Sequence, residues 1–347
     1  MNCSDLSTIR RANEEAIFNL YLYLAHNAIP EENETLKSVT AKIENTFAFK
    51  TPSEHDVKRL NILKNAVSSN SYLANSEISD LVISKDGLTA CVFKRPNGAF
   101  SVVFKGTGCG EWIDNGKGLS GIPEENTYVY YNNKEPYHRT IKNDYATDQQ
   151  VEALNLFRRL VAEKGLCSNT DITVSGHSKG GNKAQFITIC SDLVDECFSF
   201  NGQGFSPEAI NLFKKKFDPE FSNRCAKIKN ISACNDYVNV LGKKLALSEN
   251  TCYHETHKGL HYIEFMLDDN GSLNPPCKQG KLSLYVESVS DELMSYPPFI
   301  RKYATLGVMN VFQKYFGSET AINGDSVSLE NTIAGLAVTI GAVIKRK

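Results

Sequence analysis

The sequence predicts an α/β fold: a mostly parallel central sheet flanked by helices, with added N-terminal helices and a C-terminal helical extension. Three observations carry this expectation. Between residues 147 and 233, short β-branched and aromatic runs alternate with amphipathic helical segments, the pattern of parallel βαβ units. One of those strand runs passes without a break into Gly176-His177-Ser178-Lys179-Gly180-Gly181 and then into a helical run. The residues before position 70 carry helical spacing and no strand pattern.

The elements follow in chain order. Ile17, Leu20, Tyr21 and Leu24 recur at i, i+3, i+4 and i+7 and so share one helix face, and Pro30 stops the run. Leu36, Val39 and Ile43 repeat the spacing, as do Val57, Leu60, Leu63 and Val67. Nothing in residues 1–70 carries evident chemistry, and a helical cap or extension is expected there. Strand runs begin with Asp80–Ser84, Thr89–Lys94 and Ala99–Lys105, separated by Lys85-Asp86-Gly87 and Pro96-Asn97-Gly98, which suit hairpins. The polar stretch from Gly106 to Tyr145, rich in Gly, Asn and Tyr, reads as a long functional loop.

Thr147-Asp148-Gln149-Gln150 fits a capping box with Thr147 as N-cap. Val151, Leu154, Phe157 and Val161 line the helix it starts, and Gly165 closes it. Then come a strand at Asp171–Ser175, a helix from Asn182 to Cys190, and a strand at Glu196–Phe200. A helix marked by Ile210, Phe213 and Phe217 leads to a strand from Cys225 to Ala233.

Composition narrows the function classes. The chain has 347 residues, a formal net charge of −2 and 41% hydrophobic residues. It can bury a sizeable core and lacks the basic excess of a nucleic-acid binder. Its ten cysteines are scattered with no C-x-x-C pair, which argues against zinc and thioredoxin-type motifs and for buried thiols in a reducing compartment. No metal or cofactor is expected. Met1–Leu6 lacks the basic start and apolar core of a secretory signal. A cytoplasmic location is expected, and signal-less export is compatible with it. The most apolar segment, residues 332–344, precedes Lys345-Arg346-Lys347 and falls short of the ~20 residues of a membrane-spanning helix. It is expected to be a packed or interfacial helix and a candidate for membrane-surface contact. The oligomeric state is not legible.

The chemistry gathers at Ser178. A serine hydroxyl is a weak nucleophile that needs a base beside it, an acid to orient the base, and donors for the oxyanion. Gly-x-Ser-x-Gly set between a strand and a helix is the context of a nucleophile elbow in an α/β hydrolase. Gly176 and Gly180 flank the turn where larger residues would not fit. Ser178 then stands at a helix N-terminus, where free N–H groups favour developing negative charge, and Lys179 offers its backbone N–H. The second oxyanion donor is expected from Phe104-Lys105-Gly106-Thr107, with Thr107 supplying its N–H. The acid is expected at Asp236, which closes the strand-like run Ile231–Asn235, ahead of Asp195 and Asp218. In the chain order Ser, Asp, His the base lies downstream. His261, which opens the apolar helical run His261–Leu267, is the first choice, with His257 and His254 as alternatives. His177 is expected to point away from Ser178.

These residues resemble a bacterial family of lipase-like α/β hydrolases, mostly uncharacterised and distantly similar to the class 3 triglyceride lipases. Val103-Phe104-Lys105-Gly106-Thr107 resembles its Phe-Arg-Gly-Thr strand, with Lys105 where Arg is usual. Glu111–Asn115 resembles the Trp-x-Asp-Asn segment, Asp148–Leu154 the helix before the elbow, and Phe200–Ser206 the loop after the next strand. Val174–Ala184 matches the family's elbow very closely. The resemblance spans roughly residues 60–265. It implies an α/β-hydrolase fold with Ser178 as nucleophile, Asp236 as acid, a downstream His as base, Thr107 and Lys179 as oxyanion donors, and lipid or acyl esters as substrates.

The expected organisation is therefore a helical region at 1–70, an α/β-hydrolase core at 71–270 and a helical extension at 271–347. The expected activity is hydrolysis of carboxylic esters through an acyl-enzyme, with a small ester or lipid as the partner molecule. Trp112, Tyr128, Tyr130, Tyr131 and Tyr137 are candidates for a lid or acyl-binding wall. The alternative is an α/β-hydrolase-like protein that is non-catalytic or transfers acyl groups, acting as a binding or interaction module.

Overall fold

The N-terminal helical spacing is realised as α1 (Leu6–Leu24), and the computed structural model describes residues 5–84, 87–106, 112–132, 134–256, 258, 260–316 and 329–346. A two-residue strand, β1 (Glu34–Thr35), leads into α2 (Leu36–Phe47), α3 (Glu54–Ser69) and the single turn α4 (Ser71–Ala74). Thr35 and Ser53 cap α2 and α3, each side chain accepting an N–H three residues on. Three antiparallel strands follow, β2 (Glu77–Ile83), β3 (Thr89–Lys94) and β4 (Phe100–Phe104).

The segment expected to be a long loop is largely regular. It contains α5 (Trp112–Ser120) and a hairpin of β5 (Glu124–Asn132) and β6 (Glu135–Asp144). The hairpin pairs Thr127 with Thr140 and Tyr130 with Tyr137. Tyr and Thr are strand formers, but the interleaved Asn, Glu and Lys make the sequence read as polar loop. Next, α6 (Asp148–Lys164) has the expected capping box between Thr147 and Gln150 and ends at Gly165 with φ 64°.

The βα alternation then runs β7 (Ile172–His177), α7 (Lys179–Cys190), β8 (Glu196–Phe200), α8 (Pro207–Phe217), α9 (Phe221–Ala226) and β9 (Ile228–Ala233). The predicted strand from Cys225 starts late because its first residues finish α9. Strands β10 (Thr251–His254) and β11 (Pro276–Cys277) precede α10 (Lys281–Ser295), α11 (Pro298–Phe316) and α12 (Leu329–Lys345). The helix expected to begin at His261 is only a 3-10 turn, Ile263–Phe265.

Among the described residues the main sheet has nine strands in the order β1-β2-β3-β4-β7-β8-β9-β10-β11. Strands β4, β7, β8, β9 and β10 run parallel, with antiparallel strands at both edges. This is a mixed sheet with a parallel centre, flanked by helices on both faces: an α/β architecture. On one face Ile17, Phe18, Leu20 and Leu63 pack with Phe93, Val103, Phe198 and Phe200. On the other, Phe157, Leu160, Phe186 and Phe213 pack with Val102, Phe104 and Val174. At the C-terminus α11 lies on α5 so closely that a Cβ at Gly116 would sit 3.0 Å from the Thr305 carbonyl oxygen. Cys91, Cys197 and Cys225 are buried and Cys167 is exposed. Among the described residues no helix is long and apolar enough to cross a membrane.

Candidate active site

Strand β7 delivers Ser178 at its carboxyl end, where a parallel sheet opens its ligand crevice. The turn into α7 puts Ser178 at φ 59° and ψ −125°, a conformation that costs a non-glycine residue of order 1–3 kcal/mol. A Cβ at Gly176 would lie 2.1 Å from the Gly180 carbonyl carbon, and one at Gly180 would lie 2.0 Å from the Phe104 carbonyl oxygen. Both positions therefore admit only glycine without a backbone shift. The same packing brings the end of β4 against the elbow, since a Cβ at Gly106 would lie 3.2 Å from Ser178 Cβ. Thr107, one residue on, lies outside the described residues, as does His257. The Ser178 N–H is held by the Phe200 carbonyl at 2.8 Å. The Lys179 N–H, first of α7, has no acceptor within its own helix.

The structure brings three of the sequence-predicted residues together. Ser178 Oγ lies 2.9 Å from His261 Nε2, and His261 Nδ1 lies 2.5 Å from Asp236 Oδ2. The Asp236 side chain is fully buried. Its other oxygen accepts the N–H groups of Val238 at 2.8 Å and Asn239 at 2.6 Å. A carboxylate in that position fixes the imidazole tautomer: Nδ1–H donates to Asp236, and Nε2 is left to accept the Ser178 hydroxyl proton. Of the rivals, Asp195 accepts the Ile172 N–H at the opposite end of β7, and Asp218 caps α8. His254 is buried in β10, with Nδ1 on the Asn274 carbonyl at 2.6 Å. Burial lowers its pKa from the ordinary histidine value.

Sequence reasoning missed a second ring of residues. His177, expected to point away, is in contact with His261: its Nε2 lies 2.6 Å from the His261 carbonyl oxygen and its ring 4.9 Å from the His261 ring. A carbonyl only accepts, so Nε2 carries the proton and Nδ1 accepts from the Tyr23 hydroxyl at 2.7 Å. Burial first, and then the charge on His261, push His177 well below the ordinary histidine pKa. Asn201 joins the two ends of the assembly. Its Nδ2 donates to the His261 carbonyl at 3.0 Å, and its Oδ1 accepts the N–H of Ala233, last residue of β9, the strand that leads into the turn holding Asp236. The Phe200–Ser206 segment stood out in sequence, but nothing assigned this bracing role to Asn201.

Lys179 also does more than offer an N–H. Its side chain is buried under the elbow, with Nζ 2.6 Å from Asp114 Oδ2. Burial acts to raise the Asp114 carboxyl. The Lys179 charge and hydrogen bonds from Lys179, Thr147 and Gln149 outweigh it and hold the carboxyl below its ordinary value.

No family model and no curated protein matches the sequence. Among solved structures the chain is similar to the crystal structure of M37 lipase, with 12% sequence identity and a TM-score of 0.36 over 66% of this chain and 69% of that chain. A likeness of that size carries no statement about activity.

The cleft over Ser178 has a volume of about 340 Å³ and is lined mainly by apolar groups. Trp112, Val238, Leu241, Ile263 and Met309 form its walls, and Tyr23, Arg59 and Glu264 line its polar part. Two parts of the chain with no chemistry legible in sequence thus reach the site: the N-terminal helices through Tyr23 and Arg59, and α11 through Met309. Of the aromatics expected to form a wall, Trp112 does. Tyr128 is instead buried on α6 and bonded to Asp144, Tyr130 and Tyr131 line a separate groove beside Arg158, and Tyr137 stacks on Tyr130.

Proposed function

We propose that this protein is a serine hydrolase that cleaves carboxylic esters of apolar acyl or alkyl groups through an acyl-enzyme. The observation that carries this reading is the unbroken hydrogen-bonded series Ser178–His261–Asp236 at the floor of an apolar cleft. Ser178 Oγ attacks the ester carbonyl while His261 Nε2 takes its proton. Asp236 steadies the imidazolium that forms and keeps it oriented. The Lys179 N–H, and on the sequence reading that of Thr107, receive the oxyanion. The imidazolium then protonates the leaving alcohol, and a water activated by the same His261 releases the acid.

The substrate class follows from the cleft. Its size is at the lower end for small-molecule sites, and walls of Trp, Leu, Ile, Val and Met suit a short or medium hydrocarbon chain. The oxyanion and the proton transfers are served by the chain's own groups.

A fluorophosphonate probe tests the reading directly. The wild type is expected to be labelled, and Ser178→Ala is not. His261→Ala is labelled far more slowly, while His254→Ala keeps the wild-type rate. With p-nitrophenyl esters of increasing chain length, Trp112→Ala is expected to shift the preferred length upward. A wild type that resists the probe, or a Ser178→Ala variant that still reacts, defeats the proposal.

A further inference from the structure

We infer that the outer face of α12 docks on an anionic lipid bilayer. Helix α12 has no charged residue between Glu330 and Lys345. Ile333, Leu336, Ile340 and Ile344 are spaced by three and four residues, so they form one stripe, and they are 60%, 37%, 57% and 66% exposed. The opposite face is committed to the protein. Thr332, Gly335 and Ala342 are buried there, Thr332 accepts from Asn310 at 2.7 Å, and a Cβ at Gly335 would lie 2.0 Å from the Tyr303 carbonyl oxygen. The stripe is thus held outward by a close helix crossing. On α11, whose Tyr303 backbone meets Gly335, Phe299 and Tyr303 are themselves 64% and 43% exposed.

Charge selects the occupant. Helix α12 ends at Lys345, and Arg346 and Lys347 follow in the sequence. Lys345 and Arg346 both pair with the single carboxylate of Glu292 at 3.2 Å, so these two cations and one carboxylate keep a net positive charge. An apolar face that ends in excess positive charge fits a bilayer interface: the isoleucines enter the acyl boundary and the cations meet anionic headgroups. The helix lies in the membrane surface rather than through it, since none of the described helices is long and apolar enough to span. Helix α11, on which α12 packs, also supplies Met309 to the cleft, so docking brings the cleft near the bilayer. The inference does not depend on the hydrolase reading, because Ser178→Ala is expected to bind the same vesicles.

The test is co-sedimentation of the full chain with phosphatidylcholine vesicles, with and without phosphatidylglycerol. The wild type is expected to bind the anionic vesicles more strongly than the neutral ones. Ile340→Asp lowers that partition by about tenfold, as removal of one buried anchor from a weak interfacial helix should. The pair Lys345→Gln and Arg346→Gln lowers binding to anionic vesicles only. Ile344→Asp, at the helix end, serves as a second anchor variant should Ile340→Asp melt at a lower temperature. The inference is overturned by a wild type that stays in the supernatant or by Asp variants that bind equally well. A wild-type dimer that Ile340→Asp turns into a monomer also overturns it, for then a second copy covers the stripe.

Discussion

His177 holds the backbone of His261 through a 2.6 Å hydrogen bond from its Nε2 to the His261 carbonyl oxygen. The bond joins the residue before the proposed nucleophile to the proposed base and requires a proton on Nε2, while Nδ1, which accepts from the Tyr23 hydroxyl, carries none. The buried environment of His177, with His261 and Arg59 nearby, opposes a second proton.

This arrangement has a pH consequence. The native pKa of His177 lies below the unfolded one, so between the two values the unfolded chain binds a proton that the native chain does not. The associated stability is present above the ordinary histidine value of 6.5 and is lost as pH falls below it. The slope approaches about 1.4 kcal/mol per pH unit. Buried His254 adds in the same direction. Urea midpoints measured from pH 7.5 to 5 are expected to fall, and His177→Gln, which keeps an amide donor for the carbonyl, is expected to flatten the decline. An unchanged slope in that variant would remove His177 from the account.

Tyr23 completes the relay by donating to His177 Nδ1 at 2.7 Å. Tyr23→Phe leaves a buried acceptor without that donor, at a cost of about 1–3 kcal/mol. If the relay positions His261, ester turnover falls as well, with kcat reduced and KM little changed, because no substrate contact is lost at the reacting carbonyl. Equal kcat in wild type and Tyr23→Phe would make the contact purely structural.

Much of this was legible from local pattern. The strand–Gly-x-Ser-x-Gly–helix context points to Ser178 and the end of a strand-like run points to Asp236, while chain order leaves three histidines, of which His261 lies beside Ser178 and Asp236. What escaped was set by contacts distant in sequence. Tyr23 lies 154 residues from His177, and Met309 reaches the cleft from a helix near the C-terminus. The apolar run that His261 opens reads as a helix, and that helix does not form. His261 is held by Asn201 and His177 instead, two polar side chains whose partners no periodicity reveals. The β5–β6 hairpin was hidden because its tyrosines and threonines alternate with charged and amide residues on a largely exposed ribbon.

Ser178 carries strain that can be measured apart from its chemistry. At φ 59° and ψ −125° its Cβ is disfavoured, while glycine adopts this region freely. Ser178→Gly is therefore expected to be more stable than Ser178→Ala by about 1 kcal/mol, although both lack the hydroxyl. The usual order, in which glycine lowers stability through the entropy of the unfolded chain, would mean that the elbow stores no strain.

The ion pair beneath the elbow separates the side-chain contact of Lys179 from the oxyanion role proposed for its backbone N–H. Substitution of its side chain leaves the backbone N–H in place, so any loss of activity comes through packing and charge. Asp114 has donors besides Lys179, namely the Thr147 hydroxyl at 2.7 Å and the Gln149 N–H at 3.3 Å. Lys179 Nζ has Thr147 Oγ1 only at 3.4 Å besides Asp114. Asp114→Asn thus strands a buried cation, and breaking a buried pair in this way costs about 3–5 kcal/mol. Lys179→Met leaves a carboxylate that is still partly satisfied, or that protonates, and costs less. The double variant is expected to be more stable than the sum of the single losses predicts, a coupling readable from urea denaturation. The wild-type pair also contributes an acid limb. The native Asp114 pKa is below 3.8, so its stabilisation holds above that value and disappears as pH falls through the lower native one. Asp114→Asn should remove that part of the acid transition, and additive single losses would mean that Asp114 and Lys179 act independently.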